Sequence, residues 1–321
     1  MGYRFRESES VPEGMKRITL EQIDGALDRL TLKTRSKQRA VHDARVSFKK
    51  IRAVLRLAYG ELGHEIYKRE NIEYRDAGRR LSAARDTEVV AGTLEDLVRE
   101  FNKQLSAPDI KTLRKRVRRS RAEHQIDRKR TLPEVAEALR SARQRVEAWP
   151  VEKDGFAALS IGLKRVYKRG RTSFLLINVE RTTENLHEWR KQVKYLWYQV
   201  CILNPMWPKP LDILAHELNK LADYLSEDHD LALLTRTSIE QASALSTPGE
   251  VENLILLIDQ RRVQLQARAA AIGARIYAEK PKAFVNRMQS YWEAWRPQSG
   301  VEAAVDPQIN LAFEASSGPS N

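Results

Sequence analysis

The segment VHDARVSFKKIRAVLRL, residues 41–57, carries the pattern that decides the fold of this chain. Its apolar side chains are separated by steps of three, four, three and four residues, and they are Val41, Ala44, Phe48, Ile51 and Leu55. This spacing is typical of the buried stripe of a helix in a helical bundle. The segment therefore predicts an amphipathic helix with one face in a hydrophobic core.

Basic side chains form a second stripe on the same segment. They follow the apolar residues by one position and with the same steps, and they are His42, Arg45, Lys49, Arg52 and Arg56. One position is about 100° around a helix, so this ridge lies beside the core face, with Lys50 next to it. Like charges one turn apart destabilise a helix, so a ridge of a single sign indicates an anionic partner. A ridge that is merely exposed to solvent is the alternative.

The second half of the chain repeats part of this pattern. The segment LHEWR at 186–190 aligns with residues 41–45 at an offset of 145. A second pair of segments, LSAARD at 81–86 and LSEDHD at 225–230, aligns at an offset of 144. Two nearly equal offsets predict a duplicated helical unit, arranged as two four-helix bundles related by an internal pseudo-twofold repeat.

The second copy keeps the basic stripe only in part. His187, Arg190 and Lys194 occupy the stripe and Lys191 lies beside it, whereas Trp197 interrupts it one turn further on. We therefore expect the two halves to contribute unequally to any binding site.

Helical spacing of apolar residues extends along most of the chain, without the alternation typical of strands, so the fold class is all-α. About ten helices are predicted, near residues 19–32, 38–60, 68–102, 109–126, 133–149, 155–172, 182–204, 210–242, 250–279 and 281–295. Thr19 with Gln22 resembles a capping box that opens the first helix, and Pro133 is expected in the first turn of another. Gly162 and Gly170 leave room for close approach by another helix or a ligand.

The chain is divided into a folded body and two ends. Residues 1–12 are interpreted as an N-terminal extension, and residues 297–321, rich in Pro, Ser and Gly, as a disordered tail. The body at 13–296 divides into one repeat at about 13–150 and a second at about 151–296.

Composition excludes several classes of protein. Cys201 is the single cysteine among 321 residues, so a disulfide framework and a thiolate metal cluster are excluded. No apolar run approaches the roughly 18 residues that cross a bilayer, and the N-terminus lacks the apolar core of a secretory signal. We therefore expect a cytoplasmic protein without a membrane partner.

The net charge of +13 is concentrated in three segments. Residues 33–56, 111–130 and 164–171 carry +8, +8 and +5, and the rest of the chain carries −8. Two further basic ridges lie within these segments, one of Arg114, Arg118 and Arg121 and one of Lys164, Lys168 and Arg171. Charge of this magnitude and concentration indicates a polyanionic partner such as nucleic acid or a phosphate polymer.

Several spaced segments resemble the CHAD family, the conserved histidine α-helical domain. They are VHDARVSFKKIRAVLRL at 41–57, LSAARDTEVV at 81–90, LSIGLKRVYKRGRTSF at 159–174, LHEWRKQVKYLWY at 186–198, LSEDHDLALL at 225–234 and AEKPKAFVNRMQSYW at 278–292. The resemblance covers roughly residues 13–296. It implies two four-helix bundles related by a pseudo-twofold axis, with inorganic polyphosphate bound in a basic groove or pore between them. It implies no catalytic activity and no cofactor.

The resemblance also assigns residues to the site. His42 and His187 match the histidines for which the family is named. Ligand positions of the family match Arg45, Lys49, Arg52, Arg190 and Lys194, and its basic helix matches Lys168 and Arg171. Together with the ridges, the predicted polyphosphate-binding residues are His42, Arg45, Lys49, Lys50, Arg52, Arg56, Arg114, Arg118, Arg121, Lys164, Lys168, Arg171, His187, Arg190, Lys191 and Lys194. Trp197 departs from the family, which commonly has Arg there, and this puts a phosphate contact from that turn in doubt.

Two other functions stay open at this point. His42-Asp43 and His229-Asp230 are compatible with an HD-type metal phosphohydrolase, although the two dipeptides fall at different points of the repeat. A helical nucleic-acid-binding protein is compatible with the basic helices and with the aromatic residues Tyr167, Tyr195, Trp197 and Tyr198, although no helix-turn-helix, RNP or zinc signature is present. Polyphosphate granules and a partner protein are further partners that a polyphosphate-binding module would have.

Overall fold

The helical spacing of the sequence is realised along most of the chain. The computed structural model describes residues 2–31, 37–81, 85–101, 111, 114, 128–240 and 248–296. Within these residues it has ten α-helices, one short 3-10 turn and no strand, which confirms the all-α prediction. The helices are α1 Val11–Thr31, α2 Lys37–Leu57, α3 Tyr59–Arg80, α4 Arg85–Glu100, α5 Arg128–Glu147, α6 Ala157–Val179, α7 Thr183–Leu203, α8 Pro208–Glu240, α9 Pro248–Ile276 and α10 Pro281–Trp295, with the 3-10 turn at Asn204–Met206.

The apolar stripe of α2 is the buried face that the sequence predicts. Ala44, Phe48, Ile51 and Leu55 are all buried in the main hydrophobic core, and Val41 packs against its edge. The matching stripe of α7 is buried as well, from Leu186 through Trp189 and Val193 to Leu196 and Val200. Removing these apolar surfaces from water is the main stabilising contribution to such a core.

Helix contacts group the molecule into two sets of four. In the first set, α2 contacts α1 and α3, and α5 contacts the same two helices. In the second set, α6 contacts α7 and α9, and α8 contacts the same two helices. The sets meet where α2 contacts α7 and where α6 contacts α2 and α3. This grouping is compatible with two four-helix bundles, and the pseudo-twofold relation between them stays a prediction.

A glycine allows α6 to approach the end of α2. A Cβ atom at Gly162 would lie against the backbone carbonyl oxygens of Arg56 and Leu57, closer than any van der Waals contact permits. A Cβ atom at Gly170 would meet the Tyr277 ring in the same way. Both glycines therefore permit a close approach by another element, as the sequence predicts.

A second, smaller core joins α4 to the other half of the chain. Val90, Leu94 and Leu97 of α4 are buried with Leu234 of α8 and Ile258 of α9. Helix α4 therefore packs on α8 and shares a buried cluster with α9, although it belongs to the first half of the sequence.

The first helix begins earlier than the capping-box prediction places it. The Ser10 hydroxyl accepts a hydrogen bond from the Glu13 N–H at 3.4 Å, and the Glu13 carboxylate accepts one from the Ser10 N–H at 2.9 Å. This capping box starts α1 at Val11. Thr19, the predicted cap, lies inside the helix, where its buried hydroxyl donates to the Met15 carbonyl at 2.8 Å.

Two other helix boundaries were predicted wrongly. The single helix expected at 68–102 is divided into α3 and α4, and α3 already begins at Tyr59, with a kink at Gly63, whose φ is 71°. Helix α5 begins at Arg128, so Pro133 lies inside it rather than in its first turn. A proline beyond the first turn of a helix removes one backbone hydrogen bond, and its ring crowds the carbonyl one turn earlier.

Some predicted segments cannot be compared. Apart from 111 and 114, the helix predicted at 109–126 lies outside the described residues, as does the tail predicted at 297–321. No helix in the described ranges combines the length and the apolar character that crossing a membrane requires.

Candidate anion-binding site

Three helices from the two sets enclose a cavity of about 430 Å³. Helix α2 forms one wall, α3 a second and α7 the third. The lining residues are Arg45, Phe48, Lys49, Arg52, Tyr74, Arg75, Gly78, Arg79, His187, Arg190, Lys191, Lys194, Tyr195 and Tyr198.

The wall from α2 consists of the middle of its basic ridge. Arg45, Lys49 and Arg52 occupy successive turns, and all three are half-buried. The Arg52 Nε atom donates a hydrogen bond to Oδ1 of Asn71 on α3, at 3.0 Å. This bond to a neutral oxygen orients the guanidinium without cancelling its charge.

The wall from α7 is the partial basic stripe of the second copy. His187, Arg190, Lys191 and Lys194 all line the cavity. The Arg190 Nε atom donates to the hydroxyl of Ser226 on α8, at 3.0 Å, which is again a bond to a neutral oxygen. The ammonium of Lys191 forms an ion pair with Glu188 on the same helix.

The wall from α3 contains two arginines that were not predicted. Arg75 and Arg79 are one turn apart and line the cavity, and Asp76 pairs with both, at 2.8 and 3.6 Å. In the sequence, the acidic neighbour gives this segment the mixed signs of an ordinary solvated face. The spacing of four residues places both arginines on one face, and this was the available signal.

The lining combines basic and aromatic side chains from all three helices. Eight Lys and Arg side chains line the cavity, and among the described residues no Asp or Glu does. Phe48, Tyr74, Tyr195 and Tyr198 complete the lining, and all four are buried. Apolar surroundings lower the local dielectric and strengthen the attraction between these cations and an anion.

Arg56 lies one turn beyond the cavity and supports it. Its guanidinium is 3.6 Å from the centroid of the Tyr195 ring, and its Nη1 atom donates to the carbonyl of Arg52 and to Oδ1 of Asn71. Burial lowers the pKa of Arg56 below its ordinary value. Arg56 thus joins α2 to α3 and packs on a ring that lines the cavity.

A pair of histidines connects this cavity to a second one. His187 lines the first cavity, and the centroid of its ring lies 4.6 Å from that of His229 on α8. His229 lines a cavity of about 500 Å³ together with Arg236, Arg262, Thr183, Glu184 and neighbouring residues of α8. His229 was not among the predicted site residues, because the two histidines are 42 residues apart in sequence and only the packing of α8 on α7 brings their rings together.

Several predicted site residues lie outside both cavities. His42 is exposed near the start of α2. Lys50 lies on the other flank of α2, with its ammonium 4.9 Å from the centroid of the Tyr3 ring. Lys164 and Lys168 are exposed on α6, and Arg171 donates to the carbonyl of Tyr277 at 3.2 Å.

The third ridge is only partly described. Arg114 forms an ion pair with Glu95, with its Nε atom 2.6 Å from a carboxylate oxygen, and it does not line either cavity. Arg118 and Arg121 lie outside the described residues. The role of these residues in binding stays a prediction, as it does for the other predicted positions.

The position of Trp197 is outside the cavity lining. Its ring stacks on that of Tyr198, with centroids 4.7 Å apart, and packs against the main core. In the part of the chain that the structure describes, no three His, Cys, Asp or Glu side chains are grouped closely enough to hold a metal ion.

Comparison with known protein families gives one match. The model of the family described as "CHAD domain" matches residues 18–237, which is more than half of the chain and includes all three walls of the first cavity. No curated protein matches the chain.

Proposed function

The chain belongs to the CHAD domain family, and from this membership we propose that it binds inorganic polyphosphate in the cavity between α2, α3 and α7. The observation that carries the proposal is the lining of this cavity. Eight cationic side chains from three helices converge there, and no described acidic side chain shares the lining. An excess of positive over negative charge among the lining side chains of a concave site favours an anion of high charge density.

The chemistry of polyphosphate fits such a site. The polymer carries about one negative charge per phosphate and no bases, so recognition depends on charge and on geometry. Arginine donates paired hydrogen bonds to phosphate oxygens, and lysine adds a compact charge. Arg52 and Arg190 are oriented by the neutral oxygens of Asn71 and Ser226, so part of the ordering that binding requires is already present.

Nucleic acid is the second candidate, and the aromatic residues favour it less than polyphosphate. Base recognition without sequence preference uses exposed rings on which bases stack. Tyr195 is covered by Arg56, and Tyr198 is stacked on Trp197. Tyr167 is buried and stacked on Phe284, with ring centroids 4.0 Å apart. These rings are therefore occupied within the protein.

The proposal extends to the setting of the protein. We propose a non-enzymatic binding module that works in the cytoplasm and associates with polyphosphate granules or with a partner that carries polyphosphate. Binding by charge alone weakens as salt rises, by analogy with the release of counterions from nucleic acids.

A titration of the purified protein tests the proposal. Long-chain polyphosphate and duplex DNA of matched total charge are titrated at two salt concentrations. We expect polyphosphate to bind more tightly than DNA, with a steep decrease in affinity at the higher salt concentration. Equal affinity for DNA would favour the nucleic-acid function, and release of phosphate by metal-loaded protein would contradict the binding-only function.

A charge-matched pair of variants locates the site. The triple variant Arg45→Ala, Lys49→Ala and Arg52→Ala should bind polyphosphate at least about 100-fold more weakly, because charge-assisted hydrogen bonds are lost. The control replaces Lys209, Lys220 and Lys282 with Ala, three exposed lysines away from the cavity, and should bind within about threefold of the wild type. Similar losses in both variants would mean that the cavity is not the site.

A further inference from the structure

The basic cavity and the second cavity meet at one pair of side chains. His187 on α7 lines the basic cavity, and His229 on α8 lines the second cavity. The two imidazole rings are tilted by 38° with their centroids 4.6 Å apart. The Nδ1 atoms of both rings are buried, and neither has a hydrogen-bond partner among the described residues. Each ring therefore has a nitrogen that is shielded from water and lacks a described protein partner.

Cations from several helices lie around this pair. The charged groups nearest the rings are Glu188, Arg190 and Lys191 on α7, Arg236 on α8 and Arg262 on α9. Arg45, Lys49, Arg75 and Arg79 of α2 and α3 line the same cavity as His187, and Glu184 lines the same cavity as His229.

Two of the acidic groups near the pair are engaged with other side chains. Glu188 pairs with Lys191, and Asp228 accepts hydrogen bonds from Arg262 and Gln266. Cations are thus in excess around the rings. The side chains of residues 85–88 at the start of α4 lie outside the described residues.

Burial and this positive surrounding keep the pair uncharged. Burial, followed by Arg190 and Lys191, lowers the pKa of His187 below its ordinary value. Burial, followed by Arg190, His187 and the arginines of the second cavity, lowers the pKa of His229 to about 4. A proton on one ring also disfavours a proton on the other, because like charges so close repel.

We propose that the His187–His229 pair takes up a proton when a phosphate chain occupies the basic cavity, so that polyphosphate binding strengthens as the pH falls. The inference rests on the proposed function, since it names the regulation of the same site. A bound polyanion brings negative charge to the ring of His187 and reverses the sign of the field that keeps the pair neutral. The buried Nδ1 atoms then become donors, as both nitrogens of a protonated imidazole are.

Linkage sets the sign and the range of the effect. If the bound anion favours the proton, the proton favours the anion by the same factor. The pair has a higher pKa in the complex than in the unbound protein, where that of His229 is about 4. The affinity for polyphosphate therefore increases as the pH is lowered between these two pKa values. If the complex restores an ordinary histidine pKa near 6.5, polyphosphate should bind roughly 10- to 30-fold more tightly at about pH 5 than at about pH 7.5.

The experiment measures binding and proton uptake together. Long-chain polyphosphate is titrated calorimetrically at several pH values between about 5 and 7.5, each in two buffers of different ionisation enthalpy. The wild-type protein should take up a substantial fraction of one proton on binding near pH 6. Long polyphosphate chains are used because their terminal phosphates, which also titrate in this pH range, are then a small fraction of the ligand.

Variants assign the effect to the pair. The double variant His187→Gln and His229→Gln should bind with less than about a threefold difference between the two ends of the pH range. His216→Gln, which changes an exposed histidine on the same helix as His229, should keep the pH dependence of the wild type. The remaining exposed histidines gain charge equally in all of these proteins, so the difference in pH dependence between the variants measures the contribution of the pair.

The outcomes separate this inference from the proposed function. If the wild type does not bind polyphosphate at any pH, the proposed function fails. If it binds with no proton uptake, or if the double variant keeps the pH dependence of the wild type, the inference fails and the proposed function stands. The proton uptake of the wild type decides the question even if the double variant does not fold.

Discussion

Helices α2 and α7 carry the same register of apolar and basic residues but place their matching histidines in different surroundings. His42 of α2 is exposed and lines neither cavity, whereas His187 of α7 is half-buried, lines the basic cavity and contacts His229. Arg45 and Arg190, three residues further along each helix, both line the cavity. Equivalent positions in an internal repeat therefore differ in chemistry when their neighbours differ.

The basic walls of the two helices also differ in how their charges are engaged. In α7, Lys191 must leave Glu188 before its ammonium can bind a phosphate oxygen. The basic stripe of α2 continues for one more turn to Arg52, which lines the cavity, whereas the matching position of α7 is Trp197, which does not. We infer that α2 contributes more to anion binding than α7 does.

The largest expected effect compares these walls directly. The variant Arg190→Ala, Lys191→Ala and Lys194→Ala should weaken polyphosphate binding by roughly 10- to 100-fold, which is less than the loss from the matching three changes in α2. Both triple variants should also reduce the dependence of affinity on salt, because fewer phosphate charges are neutralised. A loss from α7 as large as that from α2 would contradict the unequal contribution.

A smaller effect is expected from the neutral residues that orient the arginines. Asn71 accepts hydrogen bonds from Arg52 and Arg56, whereas Ser226 accepts one from Arg190. At about 1 kcal/mol for each bond, Asn71→Ala should weaken binding by roughly 5- to 30-fold and Ser226→Ala by about fivefold.

The dependence on salt distinguishes orientation from charge in these two variants. Both keep every cation, so the slope of affinity against salt concentration should equal that of the wild type. A reduced slope in either variant would show that a phosphate contact itself is lost. Thermal unfolding of each variant provides the control for damage to the fold.

The same contrast explains how much of the site could be predicted from the sequence. The core stripe of α2 and its basic ridge were predicted because both follow from the period of one helix. Arg75 and Arg79 were missed because Asp76, which lies between them, gives the segment charges of both signs, as on an ordinary solvated face. Only the packing of α3 against α2 brings the two arginines to the cavity. The His187–His229 pair depends on a contact between two helices, which no local spacing contains.

Helix boundaries were less predictable for a related reason. Thr19 with Gln22 has the same form as Ser10 with Glu13, and only the second pair begins a helix. The difference lies in the preceding residues, because Phe5 is buried and its N–H donates to the Ile202 carbonyl at 3.1 Å. Contacts distant in sequence thus decide which of two similar local motifs forms the cap.

The smallest expected effect concerns the pH dependence of stability without ligand. His187 and His229 have pKa values below the ordinary histidine value in the folded protein, with that of His229 near 4. Between about pH 6.5 and pH 4 the unfolded chain therefore binds more protons than the folded one, and stability decreases as the pH falls through this range.

Replacing His229 with Gln removes the contribution of this histidine to the loss of stability. When the pH is lowered from about 7 to about 5, the midpoint of thermal unfolding should therefore decrease by roughly 2–4 °C less in the variant than in the wild type. His42→Gln, which changes the exposed histidine at the matching position of His187, should follow the wild-type curve. If His42→Gln reduced the dependence of the unfolding midpoint on pH as much as His229→Gln does, the exposed and the buried histidines would behave alike. The pH dependence would then not require a buried pair, and the contrast between the two halves would be lost.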